Sequence, residues 1–241
     1  MSSVRVFRPH LRIRPLRCPR AAPANAAHPG HRPCPRRKTT LRRALSLLTA
    51  EETRSIDQPG HPAPILDADL LLYVLPGLAD LADRRILATL PPARTLVALN
   101  KADAIGIRWS DAATAAETLA TDLGLPVFPV VATLAARTRA GALTDTDLTA
   151  LRRHRDEPDP PLTLSHDLFL APDVAPGRDA RHTLLDRWDL YGVSCALTAL
   201  RHAPRLPAQF LLHILHCASG IDPLHRELHR RYEAAAAEPA E

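Results

Sequence analysis

Acidic residues are missing from the first 50 positions, which carry twelve Arg or Lys. The other 191 residues hold 19 bases and 26 acids, so the formal net charge of +5 averages a basic arm and an acidic body. Lysine is nearly absent: Lys38 and Lys101 stand against 29 arginines, a bias that points to GC-rich coding sequence. Aromatic residues make up only 4% of the chain, so its core must be built from Leu, Ala and Val. The hydrophobic share of 46% over 241 residues is enough for such a core. No run reaches the ~18 apolar residues of a membrane-spanning helix, which excludes a membrane span. No secretory hydrophobic segment follows the basic start. The four cysteines (Cys18, Cys34, Cys195, Cys217) lack framework spacing and read as reduced thiols, so a cytoplasmic location is expected.

The arm, 1–40, holds seven of the 24 prolines and no apolar periodicity. It buries too little to offset an ordering cost of roughly 1–2 kcal/mol per residue and is expected to be disordered. Clustered arginine suits nucleic acid or another acidic surface, because neutralising phosphates releases counterions. An Arg-rich, acid-free start also fits an organelle transit peptide. The plainer alternatives are a solvated tail, or text produced by a misplaced start or a frame error.

From Leu41 onward the pattern alternates. Leu41 to Glu52 has helical spacing, and Asp57-Gln58-Pro59-Gly60 reads as a turn. The continuous apolar run Asp69 to Leu75 predicts a strand buried on both faces. A helix follows over Ala79 to Leu90, a second strand over Arg94 to Leu99, and a helix from N-cap Ser110 to Leu123 with Gly124 past its end. Pro126 to Val131 reads as a third strand and Asp145 to Arg155 as a helix. This alternation predicts a parallel sheet with helices on its faces. Glu157-Pro158-Asp159-Pro160-Pro161 marks a linker, which divides the chain into an arm (1–40), an α/β domain (41–156) and an α-rich C-terminal extension (157–241). In the extension, Leu162 to Leu170 is a short apolar piece. Asp179 to Leu190 is an amphipathic helix with Leu184, Leu185 and Trp188 inward, and Gly192 reads as its stop. Val193 to Leu200 reads as a strand, Pro207 to Ala218 as a helix, and Asp222-Pro223 as the start of a last helix.

Asn100-Lys101-Ala102-Asp103 closes the second strand, and ligands of open α/β sheets bind beyond such carboxyl ends. The passage Ala68-Asp69-Leu70-Leu71-Leu72-Tyr73-Val74, a helix, then Leu96-Val97-Ala98-Leu99-Asn100-Lys101-Ala102-Asp103 resembles the second half of the Era-like and dynamin-like GTPases of the P-loop class. The resemblance covers about Asp57 to Ala135. It implies an α/β three-layer sandwich around a mostly parallel sheet, with GTP or GDP as ligand and Mg²⁺ only alongside the nucleotide. It also implies that Asp103 accepts two hydrogen bonds from guanine, that Lys101 lays its stem along the base, and that Asn100 braces the loop. Ala132-Thr133, thirty residues past Asp103, falls where the family has its short Ser-Ala guanine loop, although the serine is missing. Asp57 and Gly60 resemble the family's Asp-x-x-Gly, which holds Mg²⁺ and senses the γ-phosphate. The plainer alternative is that Asn100 and Asp103 cap the next helix or turn while Lys101 is solvated.

What the sequence lacks here is the phosphate cradle. A P-loop needs Gly-x-x-x-x-Gly-Lys-Ser/Thr, so that consecutive amides wrap the β-phosphate. Gly30 to Thr39 ends in Lys38-Thr39, but Pro33 and Pro35 remove amides and no glycine precedes Lys38. The expectation is a degenerate GTPase-like protein, weak in guanine-nucleotide binding, inefficient or inactive in hydrolysis, with a regulatory or scaffolding role. The alternatives are a non-nucleotide protein-interaction module docking a protein partner through its C-terminal helices, and a GTPase whose P-loop is missing from a misassigned N-terminus. His213, His216, Cys217, His225 and His229 have metal-like spacings, and surface and core histidines of a chain with twelve account for them more simply than zinc. Ser165-His166-Asp167 holds triad residue types, but neighbours point apart and no Gly-x-Ser-x-Gly elbow exists.

Overall fold

Six consecutive buried residues, Leu70–Leu75, form strand β3, and six more, Thr95–Asn100, form β4. Both faces of these strands are covered, which is why their sequences read as unbroken apolar runs rather than as alternation. The computed structural model describes residues 11–14, 40–41, 44–45, 51–52, 68, 70–155, 165–171 and 177–237. Two further strands, β1 (Leu11–Arg14) and β2 (Glu51–Glu52), precede β3, and β5 (Val127–Val130) follows β4. All pairings are parallel and the sheet order is β2-β1-β3-β4-β5. Leu71 to Leu75 of β3 face Thr95 to Leu99 of β4, and Asn100 is the last β4 residue in register with β5, opposite Val130. Strand order reverses between β1 and β3, the crevice where doubly wound sheets of this order bind ligands.

β1 lies inside the segment expected to be a disordered arm; the rest of 1–39 falls outside the described residues, as do Asp57, Gly60 and Asp69. Of the helix expected over Leu41 to Glu52, Thr40, Leu41 and Ala44 are helical, whereas Glu51 and Glu52 are strand.

The helices are α1 (Leu81–Leu87), α2 (Trp109–Leu123), α3 (Ala132–Ala140), α4 (Asp145–His154), α5 (His166–Phe169), α6 (Arg178–His202), α7 (Ala208–Ala218) and α8 (Ile221–Ala237). The chain is thus mixed α/β, with one parallel sheet and mostly helices among the described residues. No helix among the described residues is long and apolar enough to cross a membrane. The residues fall into two compact units, Met1–Val130 with Asp222–Glu241, and Val131–Ile221. Helices α3 and α4, within the expected 41–156 domain, belong to the second unit, and α8 belongs almost wholly to the first.

In the first unit, Leu71, Tyr73, Leu75, Val97 and Leu99 pack with Leu87, Leu90, Ala116 and Leu119 from the α1 region and α2. Each fully buried Leu in such a cluster contributes roughly 1.5–3 kcal/mol. Helix α1 starts with a capping box. Asp80 accepts from the N–H groups of Ala82 and Asp83, both at 2.9 Å, and Asp83 accepts in return from the Asp80 N–H at 3.2 Å. Asp83 also accepts the Tyr73 hydroxyl at 2.7 Å, which satisfies the polar tip of a buried ring. Helix α8 is tied to the sheet by Arg231, whose Nη1 donates to the carbonyls of Pro92, Ala93 and Thr95 at 2.8–3.1 Å, just ahead of β4.

Every regular element among the described residues of the second unit is a helix. Thr144 and Asp147 form the capping box of α4, and the buried Asp147 pairs with Arg187 of α6 at 3.1 Å. Helix α6 is broken at Asp189, whose φ of 61° and ψ of 170° are non-helical. The expected strand Val193 to Leu200 is instead the second half of this helix. Its buried residues Val193, Ala196, Leu197 and Leu200 recur at helical spacing, a stripe that a dense apolar run conceals. Gly192 does not stop the helix. A Cβ there would stand 3.0 Å from Leu134 Cδ1 and 3.3 Å from Trp188 Cβ, so glycine lets α3 approach closely. The interior of this unit also holds His154, with its ring 5.8 Å from that of Phe169, and a fully buried Arg181. Arg181 donates to the Ala171 carbonyl at 2.5 Å.

Candidate functional site

Strand β4 ends in Asn100, 7% exposed. Its side-chain oxygen accepts the N–H of Lys101 at 2.9 Å. Lys101 takes the left-handed conformation (φ 61°, ψ 41°), which a residue with a Cβ adopts at a cost of about 1 kcal/mol or more. The chain then closes a short 3-10 turn, Ala102–Ala104, through Ala104 N–H to Lys101 O at 2.9 Å and Ile105 N–H to Ala102 O at 3.1 Å. Ala102 is buried beneath the turn, Asp103 is exposed, and Lys101 is half-exposed. Asn100, Lys101 and Asp103 therefore share one loop at the carboxyl end of a strand lying next to β3.

The following residues are held by a side chain that sequence reading did not single out. Asp111 accepts from the N–H groups of Ile107 and Arg108 at 2.8 and 2.9 Å. The Arg108 amide, then that of Ile107, holds the Asp111 carboxyl below the usual carboxylate range. Gly106 has φ +72°, and a Cβ on it would meet Asp111 Cβ at 2.4 Å, so the turn requires glycine twice over. Ser110, the expected N-cap, lies inside α2, because the reach-back of Asp111 moves the start to Trp109. An acid three residues into a helix whose N-cap position is Arg108 is the sequence signal for this arrangement.

Thr133 is exposed on the first turn of α3, which begins directly after β5 and Val131, and it belongs to the second unit. Asp57 and Gly60 lie outside the described residues. The loop at Asn100 to Asp103 offers hydrogen-bond acceptance by an exposed carboxylate beside an alkyl-ammonium side chain, chemistry suited to binding a planar donor-bearing group.

The other constellations are dispersed. Ser165 caps α5, its hydroxyl accepting from the Leu168 N–H at 3.2 Å, and His166 Nε2 stands 3.3 Å from Asp189 instead. His216 Nδ1 contacts the Thr138 hydroxyl at 2.9 Å, and His213 Nε2 lies 3.7 Å from Cys217 Sγ. His225 and His229 pair with each other on α8. Among the described residues, no three or more His, Cys, Asp or Glu side chains gather as a metal site. Comparisons with protein families, with curated proteins and with solved structures found no match for this chain.

Proposed function

We propose that this chain is a degenerate relative of the Era-like and dynamin-like GTPases, a three-layer α/β protein that binds guanine nucleotide weakly and serves as a regulatory or scaffolding component. The observation that carries the reading is the loop Asn100 to Asp103. It leaves the carboxyl end of a buried parallel strand with Lys101 left-handed and Asn100 bonded to the Lys101 amide. The sheet order supports it, since β4 lies one strand from the crevice between β1 and β3. In this reading Asp103 accepts the ring N–H and exocyclic amine of guanine, and Lys101 covers the base. Asp57 and Gly60 supply the Mg²⁺ and γ-phosphate contacts whenever nucleotide is held, and a partner chain supplies the phosphate grip.

The energetics set the affinity. Two hydrogen bonds to a carboxylate contribute about 1.5–3 kcal/mol each. Association alone costs upward of ~4 kcal/mol. Base recognition without a phosphate cradle therefore leaves binding weak.

A second reading has an observation of its own. Phe210 and Ile214, one turn apart on α7, are 53% and 38% exposed, as a helix docking a protein partner would present them. A third, a GTPase whose P-loop was lost to a misassigned N-terminus, is tested by reading the upstream DNA in all frames for Gly-x-x-x-x-Gly-Lys-Ser.

The experiment is calorimetric titration with GDP, GTP, ATP and xanthosine diphosphate, with and without Mg²⁺, beside Asp103→Asn. Guanine-selective binding that moves toward xanthine in the variant supports the nucleotide reading. No heat with any nucleotide at several millimolar overturns it and leaves the interaction module.

A further inference from the structure

Helix α8 carries two histidines one turn apart, with His229 Nε2 3.2 Å from His225 Nε2 and ring centroids 4.5 Å apart in an edge-on arrangement. Two imidazoles so placed bring both Nε2 atoms within reach of one ion. With metal–nitrogen bonds of about 2.0–2.1 Å, a 3.2 Å separation subtends about 100–105° at a shared ion, within the range of tetrahedral coordination. We propose that His225 and His229 chelate a divalent transition-metal ion, Zn(II), Ni(II) or Cu(II), on the outer side of α8, with water filling the remaining positions.

The surroundings fit this assignment. Glu227, between the two histidines in sequence, is bound by Arg230 through two bonds of 2.6 and 2.7 Å and by Arg231 at 2.8 Å, so its carboxylate is committed elsewhere on the helix. Imidazole selects borderline transition metals over Mg²⁺ or Ca²⁺, which want oxygen ligands. The i, i+4 spacing places both rings on one face, and Leu224 and Leu228, buried in the first unit, hold the helix that carries them. The ligands are therefore gathered before the ion arrives, and binding costs little side-chain ordering.

The test is isothermal titration of the full chain with ZnCl₂, NiCl₂ and CuCl₂ in a non-coordinating buffer. A His213→Gln/Cys217→Ser background removes the other His–Cys pair. One ion is expected per chain in that background. His229→Gln or His225→Gln should each weaken binding at least about tenfold, because the second ring of a chelate is delivered intramolecularly. The double variant should be little worse than either single one, since one substitution already destroys the chelate. Helical circular dichroism of each variant separates a lost site from a lost helix. Electron paramagnetic resonance of the Cu(II) complex in the unsubstituted-α8 background should show two imidazole nitrogens. A titration unmoved by either substitution, no binding up to about 1 mM, or a copper spectrum with one nitrogen or none would overturn the assignment.

Discussion

His154 is fully buried at the end of α4, and among the described residues neither ring nitrogen has a hydrogen-bond partner. Burial, and after it the Arg181 charge, pushes this imidazole down from 6.5 to about 4. The folded state therefore refuses a proton that the unfolded chain accepts. Stability from this group is fully present above pH 6.5 and is lost as pH falls toward about 4. At about 1.36 kcal/mol per pH unit the interval sets a ceiling of ~3 kcal/mol, and partial solvent screening takes it toward ~2. Replacing His154 with Leu removes the proton site and two unpartnered buried nitrogens, at the cost of the packing against Phe169. At pH 7 the variant should be as stable as the parent or somewhat more so. Between pH 7 and pH 4 the parent should lose about 2–3 kcal/mol more than the variant.

Tryptophan fluorescence can read this unit alone. The chain has two tryptophans, and Trp188 lies buried in the second unit while Trp109 lies in the first. In a Trp109→Phe background, urea unfolding followed at Trp188 from pH 7 to pH 4 gives the comparison directly. A parent-minus-variant difference constant within about 0.5 kcal/mol across that range would refute the reasoning. The other eleven histidines are common to both proteins, so their effect cancels in the difference.

Three further outcomes are expected. Gly106→Ala should destabilise the first unit by about 1–3 kcal/mol and weaken any guanine-nucleotide binding, since its Cβ meets Asp111 at 2.4 Å; denaturation paired with calorimetry checks both. Asp189 sits at φ 61° and ψ 170°, a region nearly reserved for glycine, while its carboxylate accepts the Leu190 N–H at 2.8 Å and lies 3.3 Å from His166. Asp189→Ala keeps the strain and loses those contacts, so it should cost about 1–2 kcal/mol more than Asp189→Gly, and the reverse order in chemical denaturation would contradict this. Hydrogen bonding from Arg230 is the largest cause that lowers Glu227 to about 2, so its stabilising contribution is present above 4.5 and lost as pH falls toward 2. Arg230→Gln should move the Glu227 titration upward in carbon-13 NMR, and an unmoved midpoint would show that Arg230 is not the cause.

Strands β3 and β4 were legible because burial on both faces leaves no polar position in the run. Val193 to Leu200 has similar apolar density, yet the buried set 193, 196, 197 and 200 is a helical stripe, and density alone hid the period. The break expected at Gly192 rests on glycine being a common stop; the chain breaks at Asp189, whose side chain accepts the next amide's N–H in a conformation sequence does not advertise. Leu11-Arg12-Ile13-Arg14 alternates as a strand should, but four residues in an arginine-rich, proline-broken segment cannot outweigh composition. The buried pair His154 and Arg181 was invisible, since only tertiary packing brings α4 and α6 together.

The loop Asn100 to Asp103 is legible for a different reason: its three candidate residues are nearly consecutive, so a motif can carry them. The plainer alternative has Asn100 and Asp103 capping the next helix or turn, with Lys101 solvated. Helix α2 begins six residues after Asp103, and the N–H groups at its start go to Asp111. The 3-10 turn between them has Lys101 at its N-cap position with no side-chain capping bond. The Asn100 amide oxygen is bonded to the N–H of the left-handed residue that follows it. Backbone strain persists where surrounding structure over-determines it, and such places favour ligand contacts. A loop that keeps about 1 kcal/mol or more of left-handed strain at a strand's carboxyl end is the position at which the proposed base recognition is to be tested first.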